Sequence, residues 1–162
     1  MFRIAIILLL CGCTPIIKSQ SSNDSQPVDT AVEFDGLDEK HHRREIKALI
    51  GLDPRRYEWC AAFINSILEL HDIPGSETVS EHPLLARSFL DWGISTDEPE
   101  YGDIIVLTRG RAGWQGHVGF YVDSTVVDGV PSYILLGGNQ DNMVNYKAYP
   151  ISRVIGIRRI PD

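Results

Sequence analysis

The sequence predicts a single α+β domain over residues 37–162, in which helices come first and antiparallel strands follow. Apolar residues recur at helical spacing in the first half, as at Phe63, Ile64, Ile67 and Leu68. The second half instead carries short apolar runs bounded by glycine and turn residues. Helices that precede the strands, and do not alternate with them, favour an antiparallel sheet over a parallel βαβ arrangement. The length suits one hydrophobic core and no more.

Three segments are predicted as helices. They run over 37–49, from a start between 54 and 59 to about 70, and over 81–92. The start of the second helix stays open. Asp53 and Pro54 can supply a cap and a first residue, whereas the Trp-Cys-Ala-Ala opening favours a start near Trp59.

Five strands are predicted in the second half of the domain. They run from Asp103 to Leu107, His117 to Val122, Tyr133 to Leu136, Val144 to Tyr149 and Val154 to Ile160. Glycine-rich and proline-containing loops at 110–113 and 128–131 separate the first three. Pro150 separates the last two, because proline cannot donate a hydrogen bond to a neighbouring strand.

The N-terminus is typical of an export signal. A short basic start leads into an apolar run over 4–10, far shorter than the roughly 20 residues that cross a bilayer. The run ends in Leu-Cys-Gly-Cys at 10–13, which resembles the lipobox of bacterial lipoproteins. That resemblance implies removal of residues 1–12 and a lipid on Cys13, with Thr14 favouring the periplasmic face of the outer membrane. The alternatives are an ordinary cleaved signal and a membrane-inserted stub.

Residues 13–36 are predicted to form the lipidated N-terminus and a disordered tether. The stretch 19–27 is small, polar and without periodicity, a composition that cannot bury enough apolar surface to fold. A tether bears on location and says nothing of chemistry.

Composition and motifs argue against several functional classes. The formal net charge is −7, and no basic patch with interleaved aromatics stands out, so nucleic acid is not an expected partner. The domain contains no Cys-x-x-Cys motif and no closely spaced His/Cys pair, so the sequence does not predict a metal site. The sequence also lacks the Gly-x-Ser-x-Gly motif that would predict serine catalysis.

Cys60 is the residue on which a functional prediction depends. Of the three cysteines, Cys11 and Cys13 lie in the predicted signal, which leaves Cys60 as the only thiol of the domain. It is either a packed side chain or a nucleophile. A helix start and a nearby imidazole both lower the pKa of a thiol, and the Cys60 N–H at a helix start could also donate to an oxyanion.

His117 is the strongest candidate partner among the five histidines. It enters an apolar strand between Gly116 and Gly119, which let other groups approach closely. The strand period puts His117, Gly119 and Tyr121 on one face. A third group is needed to orient the imidazole, and Asn139 is the first choice, with Gln140 the second.

Five blocks in one order carry a family resemblance. They are Trp59 to Phe63, Leu85 to Gly93, Gly102 to Val106, Gly116 to Tyr121 and Gly137 to Gln140. Together they resemble the NlpC and CHAP group of papain-like bacterial cell-wall hydrolases, with the closest likeness to phage-lysin-like members. The match covers most of the chain from residue 57 to residue 161.

The resemblance implies a papain-like fold, with a nucleophile-bearing helix packed on an antiparallel sheet. It implies cleavage of an amide bond of the peptidoglycan peptide stem, as an endopeptidase or an N-acetylmuramoyl-L-alanine amidase, without a cofactor or metal. By position, Cys60 is the nucleophile, His117 the general base and acid, and Asn139 the orienting residue. Trp114 and Tyr57 are the candidates for contacting the substrate.

Two other classes remain open. One is a catalytically silent, cell-wall-binding lipoprotein on the same fold. It is favoured because only Tyr57 and Glu58 stand upstream of Cys60, where many relatives place a polar side chain that completes the oxyanion hole. The other is a thiol acyltransferase on the same fold. The sequence leaves the oligomeric state open.

Overall fold

A six-stranded antiparallel sheet forms the centre of the computed structural model, which describes residues 25–161. Its strands are β1 (Ile94–Ser95), β2 (Ile104–Thr108), β3 (Gly116–Val127), β4 (Val130–Gly137), β5 (Asn145–Pro150) and β6 (Val154–Arg159). Their order across the sheet is β1-β6-β2-β3-β4-β5, and every neighbouring pair is antiparallel. The predicted α+β class is confirmed, and the five predicted strands correspond to β2 to β6.

In the described part of the chain, three α-helices precede the sheet. They are α1 (Pro27–Val32), α2 (Arg43–Ile50) and α3 (Cys60–Glu69). Trp59 is the N-cap of α3, so the start near Trp59 is confirmed over the start at Pro54. The helix predicted from residue 37 begins only at Arg43. The Asp38 carboxylate accepts hydrogen bonds from the backbone N–H groups of Lys40 and His41, and such a turn competes with helix.

The α-helix predicted over 81–92 is wrong. Only Ala86–Asp91 is helical, and it is a 3₁₀ helix. Pro83 removes a backbone donor and disfavours helical geometry in the residue before it, and Leu85 is extended with ψ 130°. Two further 3₁₀ turns lie at Ser76–Thr78 and Ile151–Arg153.

The boundary of the predicted tether also needs correction. Residues 27–32, assigned by composition to the tether, form α1, and its Val28 and Ala31 are completely buried. Pro27 suits a first helical position, and the Asp29 carboxylate accepts a hydrogen bond from the Gln26 N–H at 3.0 Å. The apolar pair at i and i+3 packs into the core, so the folded domain begins before residue 37. The signal, Cys13 and the tether up to residue 24 lie outside the described residues.

The two faces of the sheet carry separate apolar clusters. On one face, α3 packs against the sheet through a core that includes Phe63, Ile64, Val118 and Phe120. The other face carries a smaller cluster of Ile105, Leu107, Leu135, Tyr149 and Ile157. Alternation along β3 therefore directs Val118 toward α3 and His117, paired with Leu107, toward the smaller cluster.

Candidate active site at the start of helix α3

Cys60 is the first residue of α3 and is 3% exposed. No side chain of residues 25–161 caps this helix end, and the first helical hydrogen bond runs from the Phe63 N–H to the Trp59 carbonyl. The N–H groups of the first turn thus have no partner within the helix. They lie beside the Cys60 side chain, at the positive end of the helix dipole.

The Cys60 sulfur reaches the edge of β3 because β4 ends early. The Tyr121 N–H bonds to the Asp103 carbonyl on the β2 side, so by alternation the Val118 N–H points toward β4. Phe120 pairs with Leu136, and continuing this register would place residue 138 opposite Val118. Because β4 ends at residue 137, the Val118 N–H has no strand partner at that position and donates a hydrogen bond to the Cys60 sulfur instead.

Gly138 lets α3 approach this point. A Cβ atom on residue 138 would lie 2.5 Å from the Trp59 ring and 2.7 Å from the Cβ of Phe63. Trp59 and Phe63 are completely buried, and the Trp59 indole N–H donates to Glu39 at 2.8 Å, so the ring has no room to move. The absent side chain at 138 is therefore what lets the start of α3 pack beside the end of β4.

The pKa of the Cys60 thiol is raised, contrary to the lowering expected from a helix start. Burial is the largest cause, and hydrogen bonds from the backbone N–H groups of Val118 and Ala61 oppose it without reversing it. The free protein therefore holds a neutral thiol at neutral pH. A nucleophilic Cys60 would need a base that takes its proton during the attack.

The side chain that orients His117 is Gln140. The His117 Nε2 atom lies 3.0 Å from Gln140 Oε1, and both side chains are buried. Asn139, the first choice from the sequence, instead donates to Glu58 Oε2 at 2.8 Å. Gln140, the second choice, therefore occupies the place that the sequence analysis gave first to Asn139.

The hydrogen bonds of Gln140 determine which His117 nitrogen carries the proton. Its amide nitrogen donates to the Leu135 carbonyl and to the carbonyl and side chain of Asn145. With the amide nitrogen so engaged, Oε1 faces the imidazole and can only accept. Nε2 must then carry the hydrogen, which leaves Nδ1 with the free lone pair of a base.

His117 is neutral at neutral pH. Burial lowers its pKa to about 4, outweighing the Gln140 hydrogen bond, which raises it; the nearby charges of Arg109, Arg153 and Lys147 lower it further. Cys60 and His117 thus start as a neutral thiol and a neutral imidazole. Cys60 lies against Val118 on the α3 side of β3, whereas alternation directs the preceding residue, His117, to the opposite side. Among residues 25–161, no hydrogen bond joins the two side chains.

Two cavities adjoin these residues, and Arg109 lines both. The first, about 190 Å³, is lined by Cys60, Glu58, Trp114 and the 84–86 segment, among others. The second, about 200 Å³, is lined by His117, Gln140 and a group of charged side chains. Glu58 Oε2 accepts a hydrogen bond from Arg109 at 2.8 Å and another from Asn139. This three-residue contact lies between the cavities.

The two predicted substrate contacts differ in position. Trp114 is 63% exposed and lines the Cys60 cavity, so a ligand entering that cavity can reach its ring. Tyr57 is 53% exposed but lines neither cavity. Arg109 was missed by sequence reasoning, because a lone arginine at a strand end carries no signal of its own.

Comparison of the chain with protein-family models, with curated proteins and with solved structures gives no match. The resemblance to NlpC and CHAP hydrolases therefore rests on the five sequence blocks and stays a prediction. Within residues 25–161, no helix is long and apolar enough to cross a membrane. The same range holds no group of three or more His, Cys, Asp and Glu side chains arranged around a metal-sized space.

Proposed function

We propose that the protein is a papain-like cysteine hydrolase that cleaves an amide bond of the peptidoglycan peptide stem, as an endopeptidase or an N-acetylmuramoyl-L-alanine amidase. The observation that carries the proposal is the position of Cys60. It is the first residue of a helix, at the Val118 N–H, one residue along β3 from a histidine with Nδ1 available as a base.

The proposed reaction begins with a neutral thiol. As Cys60 Sγ attacks the scissile carbonyl carbon, His117 Nδ1 takes the thiol proton around the edge of β3 that the end of β4 leaves open, and the Val118 and Ala61 N–H groups stabilise the negative charge on sulfur. The Cys60 N–H, free at the helix start, is positioned to donate to the carbonyl oxygen as it becomes an oxyanion. Gln140 Oε1 stabilises the imidazolium through Nε2.

The second half returns the enzyme to its starting state. The His117 imidazolium gives its proton to the leaving amine, the C–N bond breaks, and the acyl group stays on sulfur as a thioester. His117 then takes a proton from water, whose oxygen attacks the thioester carbonyl. The C–S bond breaks, the His117 imidazolium returns its proton to the departing sulfur, and the carboxylic acid leaves, so the neutral thiol and imidazole are restored without any cofactor.

The substrate class is supported by three features. The five sequence blocks resemble cell-wall hydrolases, the predicted lipid on Cys13 would hold the domain in the cell envelope, and an exposed Trp114 lines the Cys60 cavity. An aromatic face suits the apolar face of a sugar or of a peptide stem. We therefore include anchoring at the periplasmic face of the outer membrane in the proposal.

The deciding experiment incubates purified peptidoglycan with the wild-type protein and with Cys60→Ser, followed by mass spectrometry of released fragments. Cys60→Ser keeps the side-chain size, and circular dichroism checks that it folds. Wild type should release fragments with new amine termini within the stem, or freed lactyl groups on muramic acid, and Cys60→Ser should release none. Equal release by both proteins, or none by wild type, would show the proposal to be wrong.

A cell-wall-binding protein without catalysis is the second candidate. It is favoured by the raised pKa and near-complete burial of the Cys60 thiol. Sedimentation with insoluble peptidoglycan separates the two. Binding by both wild type and Cys60→Ser, with no fragments from either, would identify the silent protein. Fragments that carry a new acyl group would identify the acyltransferase.

A further inference from the structure

The cavity next to His117 is rich in positive charge. Arg109, Lys147 and Arg153 line it together with Tyr149 and Asp141. They come from different elements: Arg109 directly follows β2, Lys147 lies in β5, and Arg153 ends the turn between β5 and β6. Only the folded sheet gathers three cations beside one buried histidine.

Two of these cations are already neutralised by carboxylates. Arg109 pairs with Glu58 at 2.8 Å, and the Lys147 ammonium lies 2.7 Å from both carboxylate oxygens of Asp141. For Arg153, no carboxylate of residues 25–161 lies within 4.0 Å. The cavity therefore has one positive charge in excess.

The Arg153 guanidinium is held in place by uncharged groups of the described residues. Its Nε and Nη2 atoms donate to the Thr108 carbonyl at 3.2 and 2.8 Å, and its Cζ lies 5.0 Å from the centre of the Tyr149 ring. Among the described residues, none accepts a hydrogen bond from Nη1. A rigid guanidinium with one free donor edge is pre-organised to bind an anion.

Tyr149 connects this guanidinium to the candidate active site. Its ring is 8% exposed and lies 5.3 Å from the His117 ring, centre to centre, while Arg153 packs on the same ring. Lys147 Nζ is 6.0 Å from the ring centre, so a group bound on Arg153 has a second cation nearby. The Tyr149 ring would therefore lie between the His117 imidazole and an anion bound to Arg153.

We infer that Arg153 binds a carboxylate of the substrate, on the His117 side of the bond that is cut. This inference rests on the proposed function and names the substrate class within it: a peptide with a free carboxylate close to the scissile amide. One uncompensated cation matches the single charge of a carboxylate. A phosphate dianion would leave the cavity with an excess negative charge.

The test measures binding to the full-length Cys60→Ala protein, in which cleavage cannot interfere. N-acetylalanine is titrated against N-acetylalaninamide, its neutral counterpart, with the Arg153 Nε–H and His117 ring resonances as NMR readouts. We expect the carboxylate to bind about tenfold more tightly than the amide, in line with one charge-assisted hydrogen bond. Inorganic phosphate should not bind more tightly than the carboxylate.

Two variants make the test specific. Arg153→Gln should abolish the preference for the carboxylate, while Arg44→Gln, which removes the same charge from an exposed position on α2, should retain it. Both are checked for folding by their amide spectra. The inference is wrong if the wild-type side chain at 153 gives no preference for the carboxylate over the amide, including the case in which neither ligand binds. It is also wrong if Arg153→Gln keeps the preference. Tighter binding of phosphate also overturns it.

The result is independent of the cleavage assay. A carboxylate preference in a protein that releases no fragments would reject hydrolysis and leave the anion site standing. Fragment release by a protein without the preference would support hydrolysis and reject the role of Arg153.

Discussion

The His117 Nε2 atom donates to Gln140 Oε1 at 3.0 Å, and this hydrogen bond leaves Nδ1 as the basic nitrogen. We predict that Gln140→Ala lowers kcat/KM on the proposed substrate by about tenfold or more, because the ring loses its orientation. Asn139→Ala, whose side chain contacts Glu58, should change it far less. Initial rates of fragment release provide the measurement. A larger loss in Asn139→Ala would contradict the assignment.

His117 also makes stability depend on pH. Its pKa is about 4 in the folded protein and near 6.5 when exposed, so the unfolded chain binds a proton first as the pH falls. The contribution of the neutral buried ring is complete above pH 6.5 and is lost between pH 6.5 and 4, by up to about 3 kcal/mol. Urea unfolding at several pH values should show a steeper loss in wild type than in His117→Gln. Parallel curves would show that burial does not shift the pKa.

Cys60 should react slowly with alkylating agents near neutral pH. The raised pKa of its thiol places the rise in the iodoacetamide rate above the pH at which an ordinary cysteine ionises. His117→Ala should leave this rise in place, because the free protein holds no imidazolium next to the sulfur. A plateau of high reactivity at neutral pH that disappears in His117→Ala would instead reveal a thiolate–imidazolium pair.

Gly138→Ala should displace the start of α3. The added methyl group would lie 2.5 Å from the Trp59 ring, so the helix must shift or the end of β4 must move. We expect a loss of about 1 to 3 kcal/mol in the free energy of unfolding, and lower activity through the displaced Cys60. Gly113→Ala is the matched control, since its Cβ would meet nothing within 4 Å. Thermal unfolding of both variants provides the comparison, and equal midpoints would contradict the close approach.

Local patterns in the sequence were sufficient for most of the sheet. The apolar runs predicted β2 to β6, and the strand period predicted that His117, Gly119 and Tyr121 share one face. That this face lies away from α3 is visible only in the fold. The two-residue strand β1 was missed, because Ile94–Ser95 is too short to show a period and exists by pairing with β6. Such a strand depends on a partner far along the chain.

The same distinction explains the errors in the first half of the domain. Composition alone placed residues 27–32 in a tether, because three small apolar residues among polar ones do not by themselves indicate burial in a core. Val28 and Ala31 are nevertheless completely buried, as the core that α3 and the sheet provide is not visible locally. For residues 81–92 the prediction failed in the opposite direction. The apolar spacing suggested an α-helix, although Pro83 disfavours α-helical geometry in the backbone there.

By itself, the sequence made Cys60 and His117 the candidate nucleophile and base and narrowed the candidate orienting group to Asn139 or Gln140. Only the tertiary structure decided between those two, because the choice depends on a hydrogen bond between residues 23 positions apart. The fold also decided the ionisation of the site. Burial raises the pKa of the thiol and lowers that of the imidazole, and burial is a property of the packed chain that no local pattern contains.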